Sequence, residues 1–322
     1  ALLVNTGAQN TAVGSGALDA NTSGTPNTAV GFNAMGANIS GNNNVAIGAN
    51  AFSTKTSGNE NVAIGVSALG AAGTSASENV AIGMDALRST TGTANVGIGR
   101  QAMYQNGSGQ RNIAIGREAY WANSTGSNTV AIGFQALTNA SGSNLTAVGY
   151  EAGLNYGSAV GLVALGYQAA ASVTTANNTA AGFQALNAAS GADSTAVGYR
   201  SLAVNTGAQN TAVGSGALDA NTTGTPNTAV GFNALGANIS GANNTAIGAN
   251  AALAVLTGNN TAVGRSALAA ASGADSTAVG YNALLVNTGA SNTAAGSGAL
   301  DANTSGTPNT AVGFNAFAAN IP

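Results

Sequence analysis

The octapeptide "NTAVGFNA" occupies Asn27 to Ala34, returns at Asn227 to Ala234 and at Asn309 to Ala316, and looser versions such as "NVAIGVSA" (Asn61 to Ala68) fill the intervals. Aligned on the Gly of this core, the 322-residue chain contains nineteen copies, anchored at Gly14, Gly31, Gly48, Gly65, Gly83, Gly99, Gly116, Gly133, Gly149, Gly166, Gly182, Gly198, Gly214, Gly231, Gly248, Gly264, Gly280, Gly296 and Gly313. The spacings are 16 or 17 residues, with one of 18 between Gly65 and Gly83. Three residues before each anchor stands Thr, Val or Ile; two before stands Ala, replaced once by Gly97; one before is always apolar. A β-branched alternating run of this kind predicts a short strand. Ala follows three after the anchor, replaced once by Ser201, and Leu, Met, Phe or Tyr usually comes next, which predicts a second short strand. Gly-containing turns such as "NTSG" (Asn21 to Gly24) and "NISG" (Asn38 to Gly41) separate the copies.

No 3.6-residue apolar stripe survives this punctuation, so helices are not expected. Two strands and two turns per 16 or 17 residues, with no helix to make crossovers, predict an all-β parallel β-solenoid of about 19 coils in one repeat domain spanning residues 1–322. Neighbouring coils would place like residues over like at about 4.8 Å, for a rod about 90 Å long. Leu18, Met35, Leu69, Leu87, Leu137, Leu186, Leu218, Leu235, Leu268 and Leu300 are expected among the most buried side chains. Longer copies also exist: residues 283–321 match 1–39 at 35 of 39 positions, and 203–250 match 3–50 at 43 of 48. The chain starts in mid-pattern without Met and reads as a mature or excised fragment of a longer fibre.

Composition narrows the function. Charged residues are 5% of the chain, against a usual share of roughly 25%. Apolar residues are 44%, mostly Ala, and aromatics only 5%, so a thick core of large side chains is not available. Net charge is -3, which argues against nucleic acid as a partner. The longest apolar run, Ala159 to Tyr167, is far short of the ~20 residues of a spanning helix, and the strand-like runs are too short for an outer-membrane barrel strand. The absence of Cys and His removes disulfides, thiolate metal sites and the commonest acid, base and metal ligand. No catalytic, cofactor-binding or metal-binding residue is expected. "GIGRQA" (Gly97 to Ala102) has the letters of a dinucleotide fingerprint but falls inside the repeat, not between a strand and a helix. Glu118 and Glu151 lie two coils apart, roughly 10 Å, and read as solvated charges. The sequons at Asn21, Asn38 and Asn123 are accounted for by turn chemistry.

One surface column stands out. The position after the anchor carries Phe134, Tyr150, Tyr167, Phe183 and Tyr199 in five successive coils, preceded by Arg100 and Arg117. These seven residues are the candidate ligand surface for a sugar or receptor; the other reading is that the rings cover a neighbouring chain or steady the stack. A Thr column three before the anchor, from Thr179 to Thr310, raises ice binding as a further alternative. Val or Ile occupies the same position in coils three to eight, which speaks for packing.

With A[VI]G preceded by Asn and followed by Ala-Leu, the chain resembles the head repeats of trimeric autotransporter adhesins, and still more the NTAVG repeats of phage and phage-like tail fibres. The resemblance runs through all nineteen coils. It implies a left-handed β-roll, three chains side by side, extracellular as a cell-surface appendage or on a virion, serving as a shaft or head in attachment to a host surface. Independently, each strand is apolar on both faces, and a strand of that kind is buried on both. One face can line the lumen; the other calls for a partner chain, in a homotrimer or a larger filament.

Overall fold

The computed structural model describes residues 4–71, 75–188, 191–270 and 273–318. The chain divides into two compact units, Ala1–Leu162 and Val163–Pro322. Among the described residues there are nineteen strands and no helix. In the first unit β1 (Thr11–Val13), β2 (Thr28–Val30), β3 (Val45–Ile47), β4 (Val62–Ile64), β5 (Val80–Ile82), β6 (Val96–Ile98), β7 (Ile113–Ile115), β8 (Val130–Ile132) and β9 (Leu145–Val148) pair in chain order, always parallel. β10 (Leu162–Leu165) begins on the last residue of that unit. In the second unit β11 (Asn178–Ala181), β12 (Thr195–Val197), β13 (Thr211–Val213), β14 (Thr228–Val230), β15 (Thr245–Ile247), β16 (Thr261–Val263), β17 (Thr277–Val279), β18 (Thr293–Ala295) and β19 (Thr310–Val312) pair in the same way. Each coil contributes one strand, and the register sets Ala29 beside Ala46 and Ala46 beside Ala63. This is the expected parallel β-solenoid.

The anchors form a column within each unit. A Cβ built on Gly31 would stand 2.6 Å from the carbonyl oxygen of Gly48, and the φ of Gly31 is +137°, open to glycine alone. Any side chain there would both strain its own backbone and push the next coil away.

The predicted second strand is not a strand. After the anchor the chain turns, with positive φ at the second and fourth positions: Asn33 at 55° and Met35 at 51° in one coil, Asn233 at 50° and Leu235 at 51° in another. The Ala34 amide closes a turn on the Gly31 carbonyl at 3.4 Å, and the Met35 amide reaches Ala51 of the next coil at 2.9 Å. In a strand, neighbouring side chains point to opposite faces. The left-handed residue instead sends Ala34 and Met35 both inward, and both are fully buried. The strain is about 1 to 2 kcal/mol for a non-Gly residue, and burying a Leu-sized side chain offsets it by about 1.5 to 3 kcal/mol.

All ten Leu and Met residues expected in the core are fully buried, as are the alanines two before the anchor from Ala29 to Ala294. Two asparagine columns share the lumen with them. Asn44, four before its anchor, accepts the Asn61 amide on Oδ1 at 3.0 Å and donates Nδ2 to the Gly58 carbonyl at 2.7 Å. Seven after the anchor, Asn38 donates Nδ2 to Asn21 Oδ1 at 2.9 Å and accepts the Gly41 amide at 3.1 Å. Each carboxamide thus satisfies backbone groups that a turn would otherwise bury unpaired. The sequon residues Asn21, Asn38 and Asn123 belong to this column and are fully buried, in keeping with turn chemistry.

Late in the first unit the lumen loses its asparagines. The first column continues as Thr129 and Leu145, the second as Ala140 and Tyr156. At Gly153 the usual Leu is missing, and a Cβ there would meet Leu137 Cδ2 at 2.7 Å: neighbouring side chains occupy its space.

Candidate functional site

The strand residues one and three before the anchor face outward, so the outer sheet face carries Val, Ile and Thr beside a column of residues that follow the anchor. In the first unit Phe134 and Tyr150 stack with centroids 5.2 Å apart, and the Arg117 guanidinium lies 5.6 Å from the Phe134 centroid. In the second unit Tyr167, Phe183 and Tyr199 stack at 5.0 and 5.3 Å. Each set is thus a ladder of parallel rings at the coil spacing. Within a run, ring faces are covered by neighbouring rings and the edges meet solvent, so a sugar cannot lie flat on an internal ring. The worth of such stacking is about 0.5 to 1.5 kcal/mol per pair.

Arg100 is exposed, and Arg117 bonds Glu118 through Nε at 2.9 Å. Gln135 donates to Glu118 Oε2 at 2.7 Å. That bond, and after it Arg117 and Arg100, hold the Glu118 carboxyl below the usual carboxylate range against the opposing effect of desolvation. Glu118 and Glu151 share a column with Gln135 between them, and the structure does not bring the two carboxylates together as an acid–base pair. Gly97 of "GIGRQA" lies in β6 and Ala102 in the following turn, so the fingerprint letters join no strand to a helix.

Three features escaped the sequence reading. A second ladder runs five after the anchor: the Arg88 guanidinium lies 5.7 Å from the Tyr104 centroid, and Tyr104 stacks on Trp121 at 5.6 Å. Arg265 over Tyr281, at 5.9 Å, extends the first column. Both would follow from extending the column comparison further along each coil. The third is Lys55, fully buried in the second asparagine column, where Nζ donates to the Thr90 carbonyl at 2.6 Å. Burial pushes its ammonium down to about 8. Aligned seven after the anchor, Lys55 stands out as the one cation in a column otherwise of Asn and small or apolar residues.

The described residues enclose no pocket and gather no group of three metal-ligating side chains. No helix among them is long and apolar enough to cross a membrane. No family model, curated protein or solved structure matches the chain.

Proposed function

We propose that this chain is a non-enzymatic structural fibre segment, outside the cell or on a virion, that serves in attachment to a surface and works as a self-associated bundle. The observation that carries this reading is the outer sheet face. In β3 to β8 the residues one and three before the anchor are all Val or Ile, and Ile47, Ile82, Ile113 and Ile115 remain exposed. A contiguous apolar patch rarely stays open to water on a soluble monomer. A partner chain bearing the same face would cover it, and the resemblance to trimeric fibres makes three the expected number.

The test is mass in solution by light scattering. A trimer would weigh about three times the 30.5 kDa of one chain. A folded monomer at micromolar concentration would overturn the bundle. Turnover in hydrolase or transferase assays, abolished by a point substitution, would overturn the non-enzymatic reading. A second reading, a dedicated binding module, is favoured by the ring ladders and the arginines at their ends. Glycan binding lost on changing Tyr150 and Tyr167 to Ser would support it.

A further inference from the structure

In the second unit the ring column is interrupted twice by one short sequence. "GSGALD", at Gly214–Asp219 and again at Gly296–Asp301, places Ser and Gly where neighbouring coils carry a ring and a larger polar residue. Tyr199 stands one coil before Ser215 and Phe232 one coil after; Tyr281 and Phe314 flank Ser297 likewise. Backbone bonds fix the order. The Gly216 amide donates to the Tyr199 carbonyl and the Asn233 amide to the Ser215 carbonyl, both at 2.9 Å. The Gly298 amide on Tyr281 and the Asn315 amide on Ser297 repeat the pair, again at 2.9 Å. The four flanking rings are more exposed than the stacked Tyr167 and Phe183, each 42%: Tyr199 54%, Phe232 56%, Tyr281 51% and Phe314 79%.

Rings on adjacent coils of this column are 5.0 to 5.3 Å apart. Rings two coils apart are therefore separated by about 10 Å. Carbon atoms touch best at roughly 3.5 to 4.0 Å, so a flat heteroaromatic guest would span only about 7 Å of that gap. A chair-form sugar, thickened by its axial hydrogens and hydroxyls, fills more of it, and its C–H faces suit two aromatic walls.

The floor is polar. Neither the Ser215 nor the Ser297 hydroxyl has a hydrogen-bond partner among the described residues. The Asn233 and Asn315 carboxamides lie in the space that Gly216 and Gly298 leave open. Asp301 Oδ2 stands 3.8 Å from where a Cβ on Gly298 would be. Asp219 donates its amide to the Gly216 carbonyl at 3.3 Å, and its Oδ1 is buried without a hydrogen-bond partner. Arg200 lies 3.5 Å from the other oxygen of Asp219, which disfavours a cationic guest in the first gap.

We infer that each gap is a subsite for one pyranose ring of a neutral glycan, held between Tyr199 and Phe232 or between Tyr281 and Phe314, with the Ser and Asn groups, and Asp301 in the second gap, meeting its hydroxyls. The inference moves sugar recognition from the continuous ladder to its interruptions and stands apart from the fibre reading.

The test is calorimetric titration of the whole chain with neutral gluco-, galacto- and manno-configured tetrasaccharides, with choline chloride and indole as competing chemistries. At least one tetrasaccharide should bind with a Kd of about 1 mM or tighter. The double variant Ser215→Phe and Ser297→Phe completes ring stacks of a kind the chain already tolerates, so it should fold and weaken binding roughly tenfold or more. Tyr199→Ala with Tyr281→Ala should do the same by removing one wall of each gap, and Val66→Ser, at an exposed position outside the ladders, should leave binding within about twofold. Absence of sugar binding overturns the inference, as does undiminished binding by the filled variant. Tighter binding of choline or indole than of every sugar also overturns it, and a mass change on filling the gaps would assign them to a second copy of the chain instead.

Discussion

The two units share one coil geometry and present different outer faces. In the first, β3 to β8 turn Val or Ile outward three before the anchor; in the second, β12 to β19 turn Thr outward at that position. Facing inward between them, the strand residue is Ala in both units, with Gly97 as the one exception. A side chain that meets the next coil across a narrow lumen has no freedom to vary. Outside, the backbone accepts Val and Thr alike because both are β-branched and suit a strand. The hydroxyl is the difference: a Val–Ile face is served by exclusion from water, and a Thr–Val face can keep part of its hydration. Outward side-chain chemistry, and not folding, distinguishes β3 to β8 from β12 to β19.

The most severe way to break this comparison is a charge in the lumen. Leu69→Asp in the first unit and Leu235→Asp in the second should each cost about 4 kcal/mol or more, since both side chains are fully buried and both amides bond the next coil at 3.0 Å. Denaturant unfolding measures it. Unequal losses would show that the lumens differ as well as the faces.

Lys55 sharpens the comparison, because the second unit holds no Lys. Its ammonium is pushed down from 10.5 to about 8 by burial. Between those values the unfolded chain holds a proton that the folded chain has released, so the contribution of Lys55 to stability rises with pH across the window and is flat below it. The full rise is on the order of 3 kcal/mol. Lys55→Met should remove the slope and stabilise the chain near neutrality, which unfolding midpoints at pH 7, 9 and 10.5 would show. An unchanged slope would place the titration elsewhere.

The smallest expected effect tests the faces themselves. Exchanging Val45, Val62 and Val80 for Thr should loosen self-association while moving the unfolding midpoint little, and Thr228, Thr245 and Thr261 to Val should tighten it. Each exchange alters burial of about one methyl group, so shifts of roughly 0.5 to 1 kcal/mol per site in the association free energy are expected. Sedimentation reads the first; thermal hysteresis in the wild-type chain that vanishes with the Thr exchanges would instead assign the second face to ice.

Much of this was legible from one chain compared with itself. The anchor glycines, the strand and the ten buried Leu and Met residues follow from spacing, because each obeys a column rule that nineteen coils repeat. The second strand failed for a physical reason: Ala-Leu reads as alternation, and nothing in a Leu announces a positive φ. The preceding position did carry that signal, in Asn33, Asn50, Asp85 and Gly16, residues that tolerate the left-handed region. Buried asparagines were hidden too, since a carboxamide read alone belongs in an exposed turn, and only the stacked backbone reveals how many partners it has. The ring column was visible, but its gaps carry meaning only once adjacent coils are known to be adjacent in space.

The copied coils set a problem for the folding chain. A strand such as Thr28–Val30 could add to the equivalent of its true neighbour 200 residues away, since residues 203–250 repeat 3–50 almost unchanged. Nothing in the side chains would reject the error. Chain connectivity does: closing a loop of 200 residues in place of 17 costs about 2 kcal/mol more in entropy, so the adjacent coil wins the race. The molecule keeps its order by proximity along the thread, and growth from one formed coil to the next is the route on which its near-identical parts are not confused.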